Sequence, residues 1–217
     1  LRTAPAETSS WRVMQTLQHD LRNLQTLSGN RIQHIREDAS GVLWVGTAFY
    51  GVSKYSAFKQ KFVHYAVNLL KENVSLNSGY VRDIAEDGES LWLATQTGGI
   101  NRLNRRTGAW TYFRKDKIGT DTAWALRLDH KKQLWAGTVG NGLWTWNASK
   151  QTFTRFVKIP PTASIQLLYE DRTGRLFATG DGMPLYCISP DHSTVEAFPI
   201  NLTNTPQGSG KRVLSVL

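Results

Sequence analysis

The chain of 217 residues contains four copies of one motif, which begin at Ile32, Val81, Ala123 and Ile165. In each copy an apolar segment ends in aspartate, a turn follows, and a second apolar segment carries an aromatic residue near its start. The copies recur at intervals of roughly 40–50 residues, a period that in a β-rich sequence indicates propeller blades or another solenoid array. One such unit cannot bury its apolar face alone. Any binding site must therefore come from the assembled array.

Each copy divides into four short predicted strands. In the first copy Asp38 opens a turn that Gly41 closes, because the carboxylate can bond the backbone ahead of it and glycine tolerates a positive φ. Gly51, Gly99 and Gly142 stand before the third predicted strand of their copies, where a bend favours a residue without Cβ. Four short strands per repeat are typical of a propeller blade.

The repeats also predict where the blades begin and end. Complete blades are expected at about residues 32–65, 81–113, 123–156 and 165–198. Residues 11–18 are predicted as the outer strand of a preceding blade, because Trp11 and Met14 have the spacing of a fourth strand, and residues 213–217 as the inner strand of a following blade. We therefore expect an all-β fold. Residues 1–217 would form a single incomplete β-propeller fragment, an open arc of four complete four-stranded blades with partial blades at both ends.

The repeated string itself is long and specific. It reads Ile-x-x-Ile-x-Glu-Asp-x-x-Gly-x-Leu-Trp-x-Gly-Thr, then Gly-hydrophobic, then aromatic-x-x-aromatic, and it resembles the two-component regulator propeller repeat. Residues 32–65 match almost position for position, and residues 81–113 and 123–156 match well. The copy at residues 165–198 departs most, since Phe177 stands where the others have tryptophan.

The resemblance implies a place in a larger signalling protein. Propellers of this family usually form the periplasmic sensor region of hybrid histidine kinases, and sometimes of membrane diguanylate cyclases. Their rings commonly hold seven blades. The resemblance therefore implies a non-catalytic extracytoplasmic sensor in the periplasm, whose kinase or cyclase domain lies outside this segment.

Acidic pairs at residues 37–38, 86–87 and 170–171 look like paired catalytic carboxylates. An active site needs one such constellation, whereas every blade needs a turn, so we interpret the pairs as turn residues. The five histidines are dispersed without metal-ligand spacing. A single cysteine, Cys187, excludes a cysteine zinc cluster. We expect no catalytic residue, no metal and no cofactor in this segment.

The charge of the chain bears on its partners. Lysine and arginine total 26 against 17 acidic residues, a formal net charge of +9. The basic residues are scattered, with small groups around Arg102 and Arg114, whereas nucleic-acid binding requires a concentrated basic face. No nucleic-acid partner is expected. The sequence also lacks a membrane-spanning apolar run and the apolar core of a signal peptide, so membrane attachment is expected only outside this segment.

Ligand-binding residues are expected where the motif varies, in the loops that open on one face of a propeller around its axis. The candidates are Phe49, Tyr50, Gln96, Asn141, Trp124 and Asp181. Aromatic planes bind the apolar faces of sugar rings while amides bind hydroxyl groups, so the expected ligand is an oligosaccharide or another small molecule.

Two alternatives remain at this point. The chain could be a propeller enzyme of the lyase or glycosidase type acting at the ring axis, for which Asp181 and His192 would have to converge on the loop face. It could also be an interaction scaffold that forms a homodimer through the edges of its terminal blades.

Overall fold

The computed structural model describes residues 16–23, 25–56, 61–68 and 74–199. Sixteen strands and one short helix lie within these ranges. The strands of the first two sheets are β1 (Ile32–Glu37), β2 (Leu43–Thr47), β3 (Val52–Ser56), β4 (Lys61–Tyr65), β5 (Val81–Asp87), β6 (Ser90–Thr95), β7 (Gly99–Asn104) and β8 (Trp110–Phe113). Those of the last two sheets are β9 (Ala123–Leu128), β10 (Leu134–Thr138), β11 (Leu143–Asn147), β12 (Thr152–Arg155), β13 (Leu167–Glu170), β14 (Leu176–Thr179), β15 (Leu185–Ile188) and β16 (Val195–Phe198).

The strands form four separate sheets of four strands, each antiparallel and in sequence order. This confirms the predicted all-β propeller fold with four complete blades. The helix α1 (Lys115–Ile118) follows β8, and within the described ranges no helix is long and apolar enough to cross a membrane. The partial blades stay predictions: residues 213–217 lie outside the described residues, as do residues 11–15, and residues 16–18 are not in a strand.

In three of the four described blades, the turn between the first and second strands depends on one aspartate side chain. Asp38 Oδ1 accepts the backbone N–H groups of Ser40 at 2.9 Å and Val42 at 3.1 Å, and Asp129 and Asp171 do the same in the third and fourth blades. Gly41 closes the first turn with a φ of 74°. The predicted turn role of these aspartates therefore matches the hydrogen bonds.

The core lies between adjacent blades and consists largely of the repeated aromatic residues. Trp92 is fully buried, and its ring centre lies 4.8 Å from that of Trp146 in the third blade and 5.8 Å from that of Phe113 in its own blade. Trp44 and Trp135 are buried in the same way in the first and third blades. Burial of an aromatic side chain of this size contributes about 2–3 kcal/mol. The motif tryptophans thus hold the blades together.

The glycine of the motif segment Leu-Trp-x-Gly-Thr marks a close approach between neighbouring blades. A Cβ atom at Gly137 would lie 2.6 Å from the carbonyl oxygen of Ile165, where the fourth blade begins, and one at Gly46 would lie 3.0 Å from Val81. Since these distances are too short for a side chain, the blades pack directly against this glycine. The first strands consequently lie side by side, with β1 against β5, β5 against β9, and β9 against β13.

Candidate ligand-binding cavity

The first strands of the four blades, β1, β5, β9 and β13, line a cavity of about 420 Å³, the inner-strand cavity. Its wall carries the second residue of each copy, a position that the motif leaves variable. These residues are Gln33, Arg82, Trp124 and Gln166. The described part of the fold therefore collects the variable side chains of the repeat on one surface.

Arg82 lies at the centre of this surface, between two aromatic rings. Its guanidinium carbon is 4.3 Å from the ring centre of Tyr80 and 4.1 Å from that of Trp124. One terminal nitrogen donates a hydrogen bond to Gln96 Oε1 at 2.6 Å. A planar guanidinium stacks well on aromatic faces. The three contacts together fix the direction of the positive charge.

Phe49 extends the row of aromatic rings towards the first blade. Its ring meets Tyr80 edge-on at 5.1 Å, and 64% of the residue is exposed. Its backbone has a φ of 79°, which is uncommon for a residue with a large side chain and is typically found where function or the surrounding structure imposes it. The carbonyl group of Phe49 lies against Gly79, where a Cβ atom would collide with it.

Three of the six predicted site residues therefore come together. Phe49, Gln96 and Trp124 are connected through Tyr80 and Arg82, which the sequence reasoning missed. A signal was present in the sequence: among the four copies, arginine and tryptophan each occur once at the second motif position.

Tyr50 faces a different cavity. It stacks on His19 with a ring separation of 6.4 Å and, with Phe49, lines a second cavity of about 340 Å³ next to the first blade. Other residues of this wall are Leu27 and His64. Tyr50 and Trp124 therefore belong to separate cavities, with Phe49 close to both groups of aromatic residues.

Asn141 and Asp181 are not among the residues that line the inner-strand cavity. The Asn141 amide donates to the carbonyl oxygen of Ile118 at 2.9 Å and accepts from Arg155 at 2.6 Å. Both ends of this amide therefore bind the protein itself. Asp181 is half-buried in the loop between β14 and β15.

The pair required by the enzyme alternative is not brought together. Asp181 precedes β15 and His192 follows it, so the two residues lie at opposite ends of one strand. His192 instead packs edge-on against Trp135 at 4.9 Å, with its Nε2 atom 3.0 Å from Asp129. Burial lowers the pKa of His192, and Asp129 opposes this. His192 therefore does not provide the convergence on the loop face that the enzyme alternative requires, because its turn serves the contact between two blades.

Asp83 joins the second and third blades beneath the cavity. Its carboxylate accepts the backbone N–H groups of Ile84 and Leu126, both at 2.7 Å, and lies 3.2 Å from His34 Nδ1. Burial raises the pKa of Asp83, while His34 and these hydrogen bonds oppose the shift. The negative charge of this residue is thus engaged by the scaffold.

Positive charge prevails on the cavity wall. Arg36, Arg82 and Arg127 face one carboxylate, Asp83, among the lining residues, and Arg127 lies 3.8 Å from Glu170. Within the described residues, Trp124 Nε1 and Arg127 Nε are buried without a hydrogen-bond acceptor. Each such orphan donor costs about 1–3 kcal/mol. The wall therefore combines an excess of positive charge with two enclosed donors.

The glutamates of the acidic pairs have a role that the sequence reasoning missed. Glu86 accepts the backbone N–H of Ala39 in the preceding blade at 3.2 Å, and Glu170 accepts that of His130 at 2.9 Å. Each glutamate thus ties its blade to the turn of the blade before it. In the described part of the chain, no group of three or more His, Cys, Asp or Glu side chains is arranged to hold a metal ion.

Sheets of four antiparallel strands, packed through buried aromatic residues and lining a cavity with their first strands, define a β-propeller. A family model described as the two component regulator propeller matches residues 26–49. This match confirms the resemblance of the chain to the two-component regulator propeller family. No curated protein sequence matches the chain closely enough to count as a relative.

Solved structures show the same fold. The extracellular domain of the hybrid two component system BT3049 from B. thetaiotaomicron superimposes with a TM-score of 0.69 at 21% identity, over 84% of this chain and 25% of that chain. The corresponding domain of BT4673 from the same organism gives 0.68 at 23% identity, over 81% and 25%. Virginiamycin B lyase from Staphylococcus aureus gives 0.59 at 21% identity, over 79% and 56%. The chain spans about a quarter of the length of these two extracellular domains.

Proposed function

We propose that this segment is the non-catalytic, extracytoplasmic ligand-binding propeller of a bacterial two-component signalling protein. One observation carries the proposal: a chain with the family's repeat has its non-repeated side chains, Arg82 and Trp124 among them, on the wall of one cavity. The repeated carboxylates, by contrast, bind turns and neighbouring blades. A sensor needs a specific surface on a rigid frame, and this division of residues supplies both.

The location outside the cytoplasm rests on likeness. Two similar structures are named as extracellular domains of hybrid two component systems, and the family resemblance points to the periplasm. Ligand binding would then be transmitted to a kinase or cyclase domain that lies outside these residues.

The ligand that best suits the wall is an oligosaccharide. Trp124 offers a ring face for stacking, and amide groups of Gln33 and Gln166 offer hydrogen bonds to hydroxyl groups. A rigid first-strand wall adds affinity because little of it must be ordered upon binding.

The test is titration of the full-length protein with a panel of oligosaccharides, together with its phosphorylation or cyclase output. Trp124→Ala should weaken binding of the oligosaccharide that the wild type binds by at least about 10-fold. Tyr50→Ala is the matched aromatic control, since Tyr50 lines the second cavity. Unchanged affinity in a folded Trp124→Ala variant, with binding lost in Tyr50→Ala, would assign the ligand to the second cavity and reject the first.

An enzymatic function of the lyase type is the second candidate, and the likeness to virginiamycin B lyase is the observation that favours it. The two residues that the sequence offers for it, Asp181 and His192, occupy opposite ends of β15. Turnover of a bound oligosaccharide or cyclic peptide, lost in Asp181→Asn or His192→Gln, would support this candidate over the sensor.

A further inference from the structure

We propose that the ligand of the inner-strand cavity carries an oxyanion, a carboxylate or sulfate group on a saccharide, and that Arg82 and Arg36 bind it. This inference rests on the proposed ligand-binding function and specifies the chemistry of the ligand. Arginine presents a planar set of donors that matches the oxygens of both groups.

The described residues of the cavity wall carry a net positive charge. Three arginines line the cavity against one carboxylate, and that carboxylate, Asp83, already accepts two backbone N–H groups and lies beside His34. Glu170, near Arg127, is held by the backbone and ring nitrogens of His130. These two carboxylates are therefore occupied, and the positive charge of the described lining residues favours an anion in the cavity.

Arg82 is held in a fixed position by its neighbours. Stacking between Tyr80 and Trp124 and the hydrogen bond to Gln96 hold the guanidinium in place before any ligand arrives. A preorganised charge loses little entropy on binding. Trp124 and Arg82 both line the cavity, so a charged saccharide would contact the indole and the guanidinium together.

The surroundings of the cavity determine how a charged saccharide would be oriented. A neighbouring cavity on the side of the first-to-second-strand turns is lined by carboxylates, with Glu37 and Asp87 among them. Arg36 lines both cavities. An anion would be repelled from the acidic side and retained between Arg36 and Arg82, which orients the saccharide along the first strands.

The experiment is calorimetric titration of the full-length protein with three saccharides of equal length: a neutral one, a uronic-acid one and a sulfated one. Inorganic sulfate is the fourth probe. The proposal expects at least one charged saccharide to bind about 10- to 100-fold more tightly than the neutral one, with affinity falling as salt rises. Whether the uronate or the sulfated saccharide binds more tightly identifies the oxyanion.

Variants separate the site from general charge. Arg82→Gln and Arg36→Gln should each remove most of the preference for the charged saccharide. Arg36 is exposed, so its variant keeps the test valid if Arg82→Gln does not fold. The control is Arg106→Gln, which removes the same charge from an exposed turn outside the cavity and should leave the preference unchanged.

Several results would overturn the inference. Equal affinity for neutral and charged saccharides, with binding still weakened in Trp124→Ala, would refute the oxyanion and leave the sensor function standing. Inorganic sulfate binding as tightly as the sulfated saccharide would refute a saccharide ligand. Binding of none of the probes would overturn the proposed function together with this inference.

Discussion

The indole N–H of Trp135 donates a hydrogen bond to the carboxylate of Asp129 at 2.7 Å, and both side chains are buried in the third blade. The other carboxylate oxygen of Asp129 accepts the backbone N–H groups of Lys131 and Gln133. One carboxylate thus holds the turn and the core aromatic residue at the same time. Where Phe177 replaces the tryptophan in the fourth blade, Arg175 Nε occupies the corresponding oxygen of Asp171 at 2.8 Å.

Replacement of Asp129 by alanine should lower the free energy of unfolding by about 3 kcal/mol, because it removes the bonds of the turn and leaves a buried indole donor without an acceptor. Asp171→Ala is the matched control: it removes the same turn bonds but orphans no indole, so its loss should be clearly smaller. Urea denaturation of both variants measures the difference. Equal losses would mean that the indole bond contributes nothing.

Arg105 and Arg106 are adjacent but should differ in their effect on stability. Arg105 bridges Asp38 of the first blade, at 2.8 Å, and Glu86 of the second, at 2.6 Å, in a largely buried position. Arg106 pairs with Glu89 in an exposed turn. Arg105→Gln should cost about 2–3 kcal/mol, since it leaves two carboxylates uncompensated, and Arg106→Gln less than about 1 kcal/mol. Thermal and urea unfolding would contradict this if the order were reversed.

The sequence was sufficient to predict the blades and their inter-blade aromatic core, because each feature repeats with a fixed period. It was not sufficient for contacts that join different repeats. Glu86 and Glu170 were interpreted only as members of turns, whereas each binds the turn of the blade before it. In the third copy Leu128 stands at the position of the glutamate. The turn that a glutamate there would reach, in the second blade, is the short turn at Gly88. That correlation is visible only when two blades are seen side by side.

The stability of the first blade should depend on acid pH through Asp38. Burial alone would raise the pKa of Asp38, but hydrogen bonds from Ser40, Trp44 and the backbone N–H of Val42 outweigh it and lower the pKa to about 2. Since the unfolded pKa is about 4, ionised Asp38 contributes stability above about pH 4 and loses it as pH falls through about 2.

The measurement is the free energy of unfolding of the wild type and of Asp38→Asn between about pH 6 and pH 2. The wild type should be the more stable protein near neutral pH, and its advantage should shrink as the pH approaches 2. A constant difference across this range would show that Asp38 has the same pKa in both states.

The buried core and the exposed loop should respond very differently to truncation. Trp92 is fully buried among Phe113, Trp146 and Phe153, so Trp92→Ala should cost about 3–5 kcal/mol. Tyr50 is 57% exposed, so Tyr50→Ala should cost under about 1 kcal/mol. Chemical denaturation that gave comparable losses would contradict the division between core and loop residues.

The candidate site was only partly predictable from the sequence. Loop position and residue type identified Phe49, Gln96 and Trp124, but the same criteria also selected Asn141, whose amide is bound at both ends by Ile118 and Arg155. Ile118 lies in the helix that precedes this repeat and Arg155 on its fourth strand, and the motif specifies neither hydrogen bond.

Trp124 and Asn141 should therefore separate binding from stability. Trp124→Ala removes a stacking surface and releases Arg82 on one side, so it should weaken ligand binding by at least about 10-fold while the blades, which pack through other tryptophans, remain folded. Asn141→Ala leaves the cavity wall unchanged but removes one of the acceptors of Arg155 and the donor to Ile118. It should keep the wild-type affinity and lower the free energy of unfolding by about 1–3 kcal/mol.

Titration and urea denaturation of both variants, performed on the same preparations, distinguish the two roles. Trp124→Ala should change the dissociation constant far more than the unfolding midpoint, and Asn141→Ala should do the opposite, because one side chain faces the cavity and the other bonds only to the protein. If Asn141→Ala abolished binding at unchanged stability, Asn141 would return to the site as originally predicted, and the inner-strand cavity would have to extend to the loop between β10 and β11.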